Sequence, residues 1–290
     1  MRAHIGPPMT PFARPGWDRQ LWRFILLELK CCVFPILIFA GLAVTQVVWS
    51  VFDPPMSRAD ALLVYVIVIQ LVMVASGMET LRELGVICAF HVIGLTLEVF
   101  KVAVGSWEYP DPGTAQIGGV PLYSGFMYAS VGSYICQAFR RFDLTLTRYR
   151  PVLATVLAVL AYLNFFTHHF IPDMRWLIAL GFLAVLWPTR VHFTVGPRRY
   201  WMPLALAYVL IGCALWVAEN GGTLLQSWRY PGQETGWEPV HVGKLGSWTL
   251  LVSLSFALVA TVKSSEGVLY GEGPPRVTRI GLGRTAPGEP

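Results

Sequence analysis

Residues 85–110 read GVICAFHVIGLTLEVFKVAVGSWEYP, and residues 206–231 read LAYVLIGCALWVAENGGTLLQSWRYP. Each is an apolar run long enough to cross the ~30 Å of a bilayer's hydrocarbon as a helix. Each carries one glutamate near its end and stops in a loop S-W-x-Y-P, where the proline pushes the residue before it out of helical conformation. The two stretches align at one offset. Glu98 and Glu219, Ser106 and Ser227, Trp107 and Trp228, Tyr109 and Tyr230, Pro110 and Pro231, and further on Gly125 and Gly246 are all 121 residues apart. Identities in rare residue types at a single offset point to an internal duplication.

Outward from these stretches, apolar blocks run over about 21–50, 60–79, 85–104, 121–140, 152–168, 175–190, 200–219 and 245–263. The expected fold is therefore an all-α polytopic membrane protein of about eight transmembrane helices. The offset of 121 carries the first block onto the fifth and the second onto the sixth. That makes a 4+4 arrangement, 21–140 and 152–263, and an even number of spans per unit gives two parallel repeats about an axis along the membrane normal. Composition agrees. With 54% hydrophobic and 13% charged residues and a mean hydropathy of +0.54, against roughly 25% charged in soluble domains, a water-soluble globule is excluded. Continuous apolar runs exclude a β-barrel, whose strands alternate with period two.

Of the 22 Lys and Arg, 16 fall in alternate segments counted from the N-terminal tail and four in the others, while Lys30 and Lys101 lie inside spans. By the positive-inside rule both termini face the cytoplasm. Residues 1–20 read as a retained cytoplasmic tail, and the Gly- and Pro-rich stretch 264–290 as a disordered one. The net charge of +5 is spread over short loops with no basic stripe, so no nucleic-acid partner is expected. Cys31, Cys32, Cys88, Cys136 and Cys213 all fall in apolar blocks and read as buried small hydrophobes. No phosphate loop, nucleophile elbow, HExxH or nucleotide-binding pattern is present, and no cofactor is expected.

The polar residues gather towards the outer ends of the third, fifth and seventh spans: Glu98 and Lys101, then Asn164, His168 and His169, then Glu219 and Asn220. Spacings of three, four and seven put His91, Glu98 and Lys101 on one helical face and Asn164 and His168 on another. A carboxylate within a span is expensive, on the order of 3 kcal/mol at the helix centre, and marks function by default. Several structural readings compete. Glu98 could simply pair with Lys101, and Trp107, Tyr109, Trp228 and Tyr230 could form an interfacial belt. Glu219 has no basic residue three or four positions away, so its helix offers no partner. His168, His169 and Asp173 suit a metal only weakly, since adjacent helical side chains diverge by about 100°, and no metal is expected. Glu79, Arg82 and Glu83 read as a solvated ion-pair turn of little energetic weight; Glu28 and Lys30 can snorkel.

At E-x(8)-W-x-Y-P, then GGVPLYSGFMY, NFFTHHF, AENGGT and KLGSW, the chain resembles a bacterial integral membrane family known as domain of unknown function 817, over essentially residues 20–263. That resemblance implies a multi-pass protein of the bacterial inner membrane and no particular activity. Across some 45 residues of the third and fourth spans, the intramembrane Glu, W-x-Y loop and G-V-P also resemble carotenoid hydratases of the bisanhydrobacterioruberin type and their lycopene cyclase relatives.

These features lead to a membrane enzyme that acts by acid–base chemistry on a long apolar, isoprenoid-like lipid. Glu98, Glu219 and His168 would carry protons, and Lys101, Trp107, Tyr109, Asn164, Asn220, Trp228 and Tyr230 would bind substrate. A proton-coupled transporter and a non-catalytic scaffold are the alternatives. The bilayer is the expected surrounding partner, and the oligomeric state is left open.

Overall fold

The computed structural model describes residues 16–270. Nine helices form it: α1 (Trp17–Cys31), α2 (Val33–Val51), α3 (Arg58–Ala75), α4 (Leu81–Ala103), α5 (Ser124–Arg141), α6 (Pro151–Thr167), α7 (Arg175–Leu186), α8 (Leu204–Leu224) and α9 (Lys244–Ser265). Five of them, α2, α3, α4, α8 and α9, are long and apolar enough to cross a membrane. Large apolar side chains such as Val47, Leu71, Leu163, Leu177 and Val217 stay exposed around the bundle. In water that surface would be costly at roughly 25 cal/mol per Å²; a bilayer removes the cost.

Several block boundaries shift. The first block is two helices, broken at Cys32: Pro35 has no N–H for the Cys31 carbonyl, and the Cys32 N–H closes α1 on the Glu28 carbonyl at 2.9 Å. The fifth block keeps its length, as the 17-residue α6 begun one position earlier, and the sixth shortens to a helix of 12 residues.

The expectation of an all-α chain is corrected by two small antiparallel sheets. The hairpin β1 (Gln116–Ile117) and β2 (Val120–Pro121) lies in the first S-W-x-Y-P loop, and β3 (Thr145–Thr147), β4 (Arg190–Val195) and β5 (Arg198–Pro203) form a three-stranded sheet in that order. The β-branched and aromatic side chains of RVHFTV and RRYWMP suit strands. Gly196, at φ +57°, takes the left-handed turn between them that only glycine adopts freely. Here the apolar content continues the neighbouring blocks, and the strands hid within it.

α4 starts from a capping box. The Thr80 hydroxyl accepts from the Glu83 N–H at 3.2 Å, and the Glu83 carboxylate accepts from the Thr80 N–H at 3.0 Å. The same carboxylate meets Arg140 at 3.2 Å and Lys263 of α9 at 3.3 Å. Glu79 accepts from Gln70 and Ser133. Glu79 and Glu83 are 2% and 1% exposed, so the solvated-turn reading is corrected: this turn is a buried polar lock joining α3, α4, α5 and α9. Three further readings change. Cys88 is exposed, although Cys31 and Cys136 are buried. Glu28 is tied to the Tyr134 hydroxyl at 3.1 Å. α9 extends through Ser265, and beyond it Leu269 is buried with its carbonyl accepting from the Leu146 N–H at 2.8 Å, so residues 264–270 are ordered. The rest of the expected tail, 271–290, lies outside the described residues, as do positions 1–15.

α5 runs through the middle, packed on α1, α2, α4 and α9. Its buried face is mostly small, with Ser124, Gly125, Ala129, Ser130, Gly132 and Ser133, which lets helices approach closely. At Gly94 of α4, an added Cβ would fall 2.3 Å from the Tyr128 ring. That contact holds Tyr128 one turn from Glu98.

Candidate functional site

The two S-W-x-Y-P loops fold back over the same end of the bundle and pair with each other. Glu108 and Arg229 form an isolated antiparallel bridge, each backbone N–H donating to the other's carbonyl at 3.0 Å. Arg58 ties the second loop to α2. Its guanidinium donates to the Leu42 and Leu225 carbonyls at 2.9 and 3.0 Å and to Ser227 Oγ at 3.3 Å.

This arrangement turns the loop aromatics inward onto the carboxylates. Glu98 Oε2 accepts from Trp107 Nε1 at 2.7 Å and from the Tyr109 hydroxyl at 2.8 Å, while Oε1 accepts from the Tyr128 hydroxyl at 2.6 Å. Glu219 Oε1 accepts from Trp228 Nε1 at 3.0 Å and from the Tyr230 hydroxyl. Each glutamate therefore takes the tryptophan nine residues on and the tyrosine eleven residues on. Glu98 and Glu219 are 4% and 5% exposed. An interfacial belt does not describe these aromatics, since Tyr109 and Trp228 are buried. At Gly222 an added Cβ would lie 1.9 Å from the Trp228 ring, so the indole reaches Glu219 only because α8 has glycine there.

Both carboxylates open on one cavity of about 230 Å³, which Lys101, Trp107, Tyr109, His168, Trp228 and Tyr230 also line. Lys101 does not pair with Glu98. Its Nζ lies 2.8 Å from His169 Nε2 and 3.5 Å from His168 Nε2, an ammonium donating to imidazole lone pairs. No group of three metal-binding side chains converges among the described residues. Burial, helped by the Lys101 ammonium and then His168, pushes the His169 imidazole below its ordinary value.

Asn164 and Asn220 do not reach the cavity wall. Asn164 holds the turn before α7, donating to Asp173 at 2.9 Å and accepting from the Met174 N–H at 3.0 Å. Asn220 donates to the Trp216 carbonyl at 2.8 Å and accepts from the Val240 N–H at 2.9 Å. Both are loop clamps. The sequence reading missed Tyr128, Arg175, Lys244 and Trp248, all on the cavity wall. Of these Arg175 alone carried no signal: Lys244 and Trp248 stand together in the KLGSW motif, and Tyr128 closes the GGVPLYSGFMY motif.

A second, larger cavity of about 650 Å³ adjoins the first, the two sharing Pro35, Phe39, Ser130, Val131, Leu215 and Ala218. Its wall is almost wholly apolar and reaches Phe142, Val191 and Met202 near the three-stranded sheet.

A family model described as "Protein of unknown function (DUF817)" matches residues 20–256. The chain belongs to that family. It is 50% identical over 249 residues to the "Uncharacterized protein YoaT" of Bacillus subtilis (strain 168), an alignment covering 86% of this chain and 90% of that one. No solved structure matches. The hydratase likeness of the third and fourth spans finds no support in these matches, and what it implies enters only as a proposal.

Proposed function

We propose that this protein is a multi-pass enzyme of the bacterial inner membrane that acts by acid–base chemistry on an isoprenoid-like lipid, as a hydratase, cyclase or isomerase. The observation that carries the reading is the convergence of Glu98 and Glu219, each clasped by a tryptophan N–H and a tyrosine hydroxyl, on one aromatic-walled cavity. In this reading the chain is a 4+4 parallel duplication with both termini cytoplasmic. The matched partners of the two glutamates and the bridge between Glu108 and Arg229, 121 residues apart, support it.

One carboxylic acid gives its proton to a C=C bond of the lipid. A C–H bond forms from the π pair and leaves a cation, which the faces of Trp107 and Tyr230 stabilise. Water then attacks the cation and loses a proton to the second carboxylate or to His168, so that hydration is the net result; loss of a neighbouring C–H proton gives isomerisation instead. General acid–base assistance of this kind contributes about 10²–10⁴-fold. The test is mass spectrometry of lipid extracts from cells carrying the wild type, Glu98→Gln, Glu219→Gln or no copy at matched membrane levels. The reading expects a species shifted by the mass of water, or isomerised, in the wild type alone.

A proton-coupled carrier is the second reading. The buried lock at Glu79 and Glu83 favours it, because it puts a further set of buried acids at the opposite end of α4 from Glu98. Extracts identical across all four strains, with proton-linked uptake lost in Glu98→Gln, would decide for it.

A further inference from the structure

The carboxylates of the cavity come as a matched pair, but its cations do not. At the offset of 121, Lys101 corresponds to Gly222 and Lys244 to Tyr123. Lys101 is buried, with two imidazoles as its partners. Lys244 Nζ lies over the rings of Trp107 and Tyr230, 4.9 and 4.3 Å from their centroids. Those two rings donate to Glu98 and Glu219 respectively, which puts the ammonium one ring away from either carboxylate. Arg175, on the same wall, has Asp173 at 2.5 Å. Among the described residues neither Lys101 nor Lys244 has a carboxylate oxygen within 4.0 Å. Ammonium groups taken out of water are costly unless an anion meets them.

The other end of the cavity is of opposite character. From Ala218 and Leu215 the apolar cavity follows α8 back to Tyr208, about 16 Å along the helix axis at 1.5 Å per residue from Glu219. Two lysines and a pair of acids on the wall of one cavity thus adjoin an apolar one.

We propose that the substrate is a single-chain lipid with an anionic head, a phosphate ester or a carboxylate. The head is held between Lys101 and Lys244, and the chain runs along α8 past Leu215 and Ala218. The proposal rests on the acid–base reading for its chemistry and places the reacting double bond near the head, where the two glutamates are.

Binding is measured by quenching of the intrinsic tryptophan fluorescence of the full-length protein in lipid nanodiscs, since Trp107, Trp228 and Trp248 line the cavity. Three probes are compared: farnesyl monophosphate, farnesol and inorganic phosphate. The expected result is farnesyl monophosphate binding at least about tenfold more tightly than farnesol, the worth of one charge-assisted contact. Lys101→Gln and Lys244→Gln remove that advantage and leave farnesol unchanged, and Ala218→Phe weakens both lipids. Lys101→Arg and Lys244→Arg keep the advantage, which guards against a folding defect in the Gln variants. Equal affinity for the phosphate and the alcohol, or equal loss of both in the lysine variants, overturns the proposal. Inorganic phosphate binding as tightly as farnesyl monophosphate overturns it too, in favour of a free-anion site. Glu98→Gln and Glu219→Gln keep the binding preference and lose turnover; if they kept turnover as well, the acid–base reading would fail while the lysine results still decided the headgroup.

Discussion

Glu108 and Arg229 exchange both of their backbone hydrogen bonds at 3.0 Å, and each stands directly after one of the tryptophans that grip a buried carboxylate. Their side chains add little, with Arg229 Nε 3.8 Å from Glu108 Oε1 and both groups substantially exposed. The pairing that seats the two loops is therefore a main-chain feature. Arg229→Ala should change stability by no more than about 1 kcal/mol, the usual range for an exposed ion pair. Arg229→Pro deletes the donor, leaves the Glu108 carbonyl unmatched at a cost of about 1–3 kcal/mol, and should lower activity strongly. Melting temperature and lipid turnover in matched preparations check both.

The lock at the other end of α4 is predicted to be purely structural. Glu83 is 1% and Lys263 5% exposed, so removing one partner leaves the other charge buried. Lys263→Met should destabilise by less than the about 3–5 kcal/mol of a wholly uncompensated buried charge, because Arg140 still meets Glu83, with the double variant Glu83→Gln/Lys263→Met recovering part of the loss. Thermal unfolding in detergent, arranged as a double-mutant cycle, reads this directly. A double variant as unstable as the sum of the single ones would show that the pair is not coupled.

The His169 contact predicts a pH dependence of defined sign. Desolvation and then the Lys101 ammonium hold the folded-state value below the ordinary 6.5 of an imidazole, so the unfolded chain takes up the proton first. Stability contributed by the neutral imidazole is complete above pH 6.5 and is lost as the pH falls from there towards the folded-state value. Melting temperature should therefore drop over that window, and His169→Gln should flatten the drop.

The sequence made part of this site legible for a definite reason. Trp107 and Tyr109 stand at the same distances from Glu98 as Trp228 and Tyr230 do from Glu219, and a doubled spacing needs no three-dimensional knowledge to be seen. Tyr128 and Arg175 had no such echo and reach the cavity only through helix packing. Asn164 and Asn220 share a helix with site residues, yet each spends its amide on loop backbone, which helical spacing alone does not reveal. The break at Cys32 was written in Pro35 and obscured by apolar residues on both sides. The strands at 190–203 were hidden because Trp201 and Met202 extend the apolar block of α8. Burial of Glu79 and Glu83 depended on Ser133 and Lys263, which are distant in the chain.

The central claim is that a buried carboxylic acid here protonates carbon, and deuterium reports that step directly. Membranes carrying the wild type, Glu98→Gln or Glu219→Gln would be incubated with the lipid identified from the extracts in deuterated water, and the product returned to ordinary water before mass analysis. The account predicts one deuterium retained on carbon with the wild type and none above background with either variant. Product formed at the wild-type rate by both variants, or product without deuterium on carbon, would contradict it.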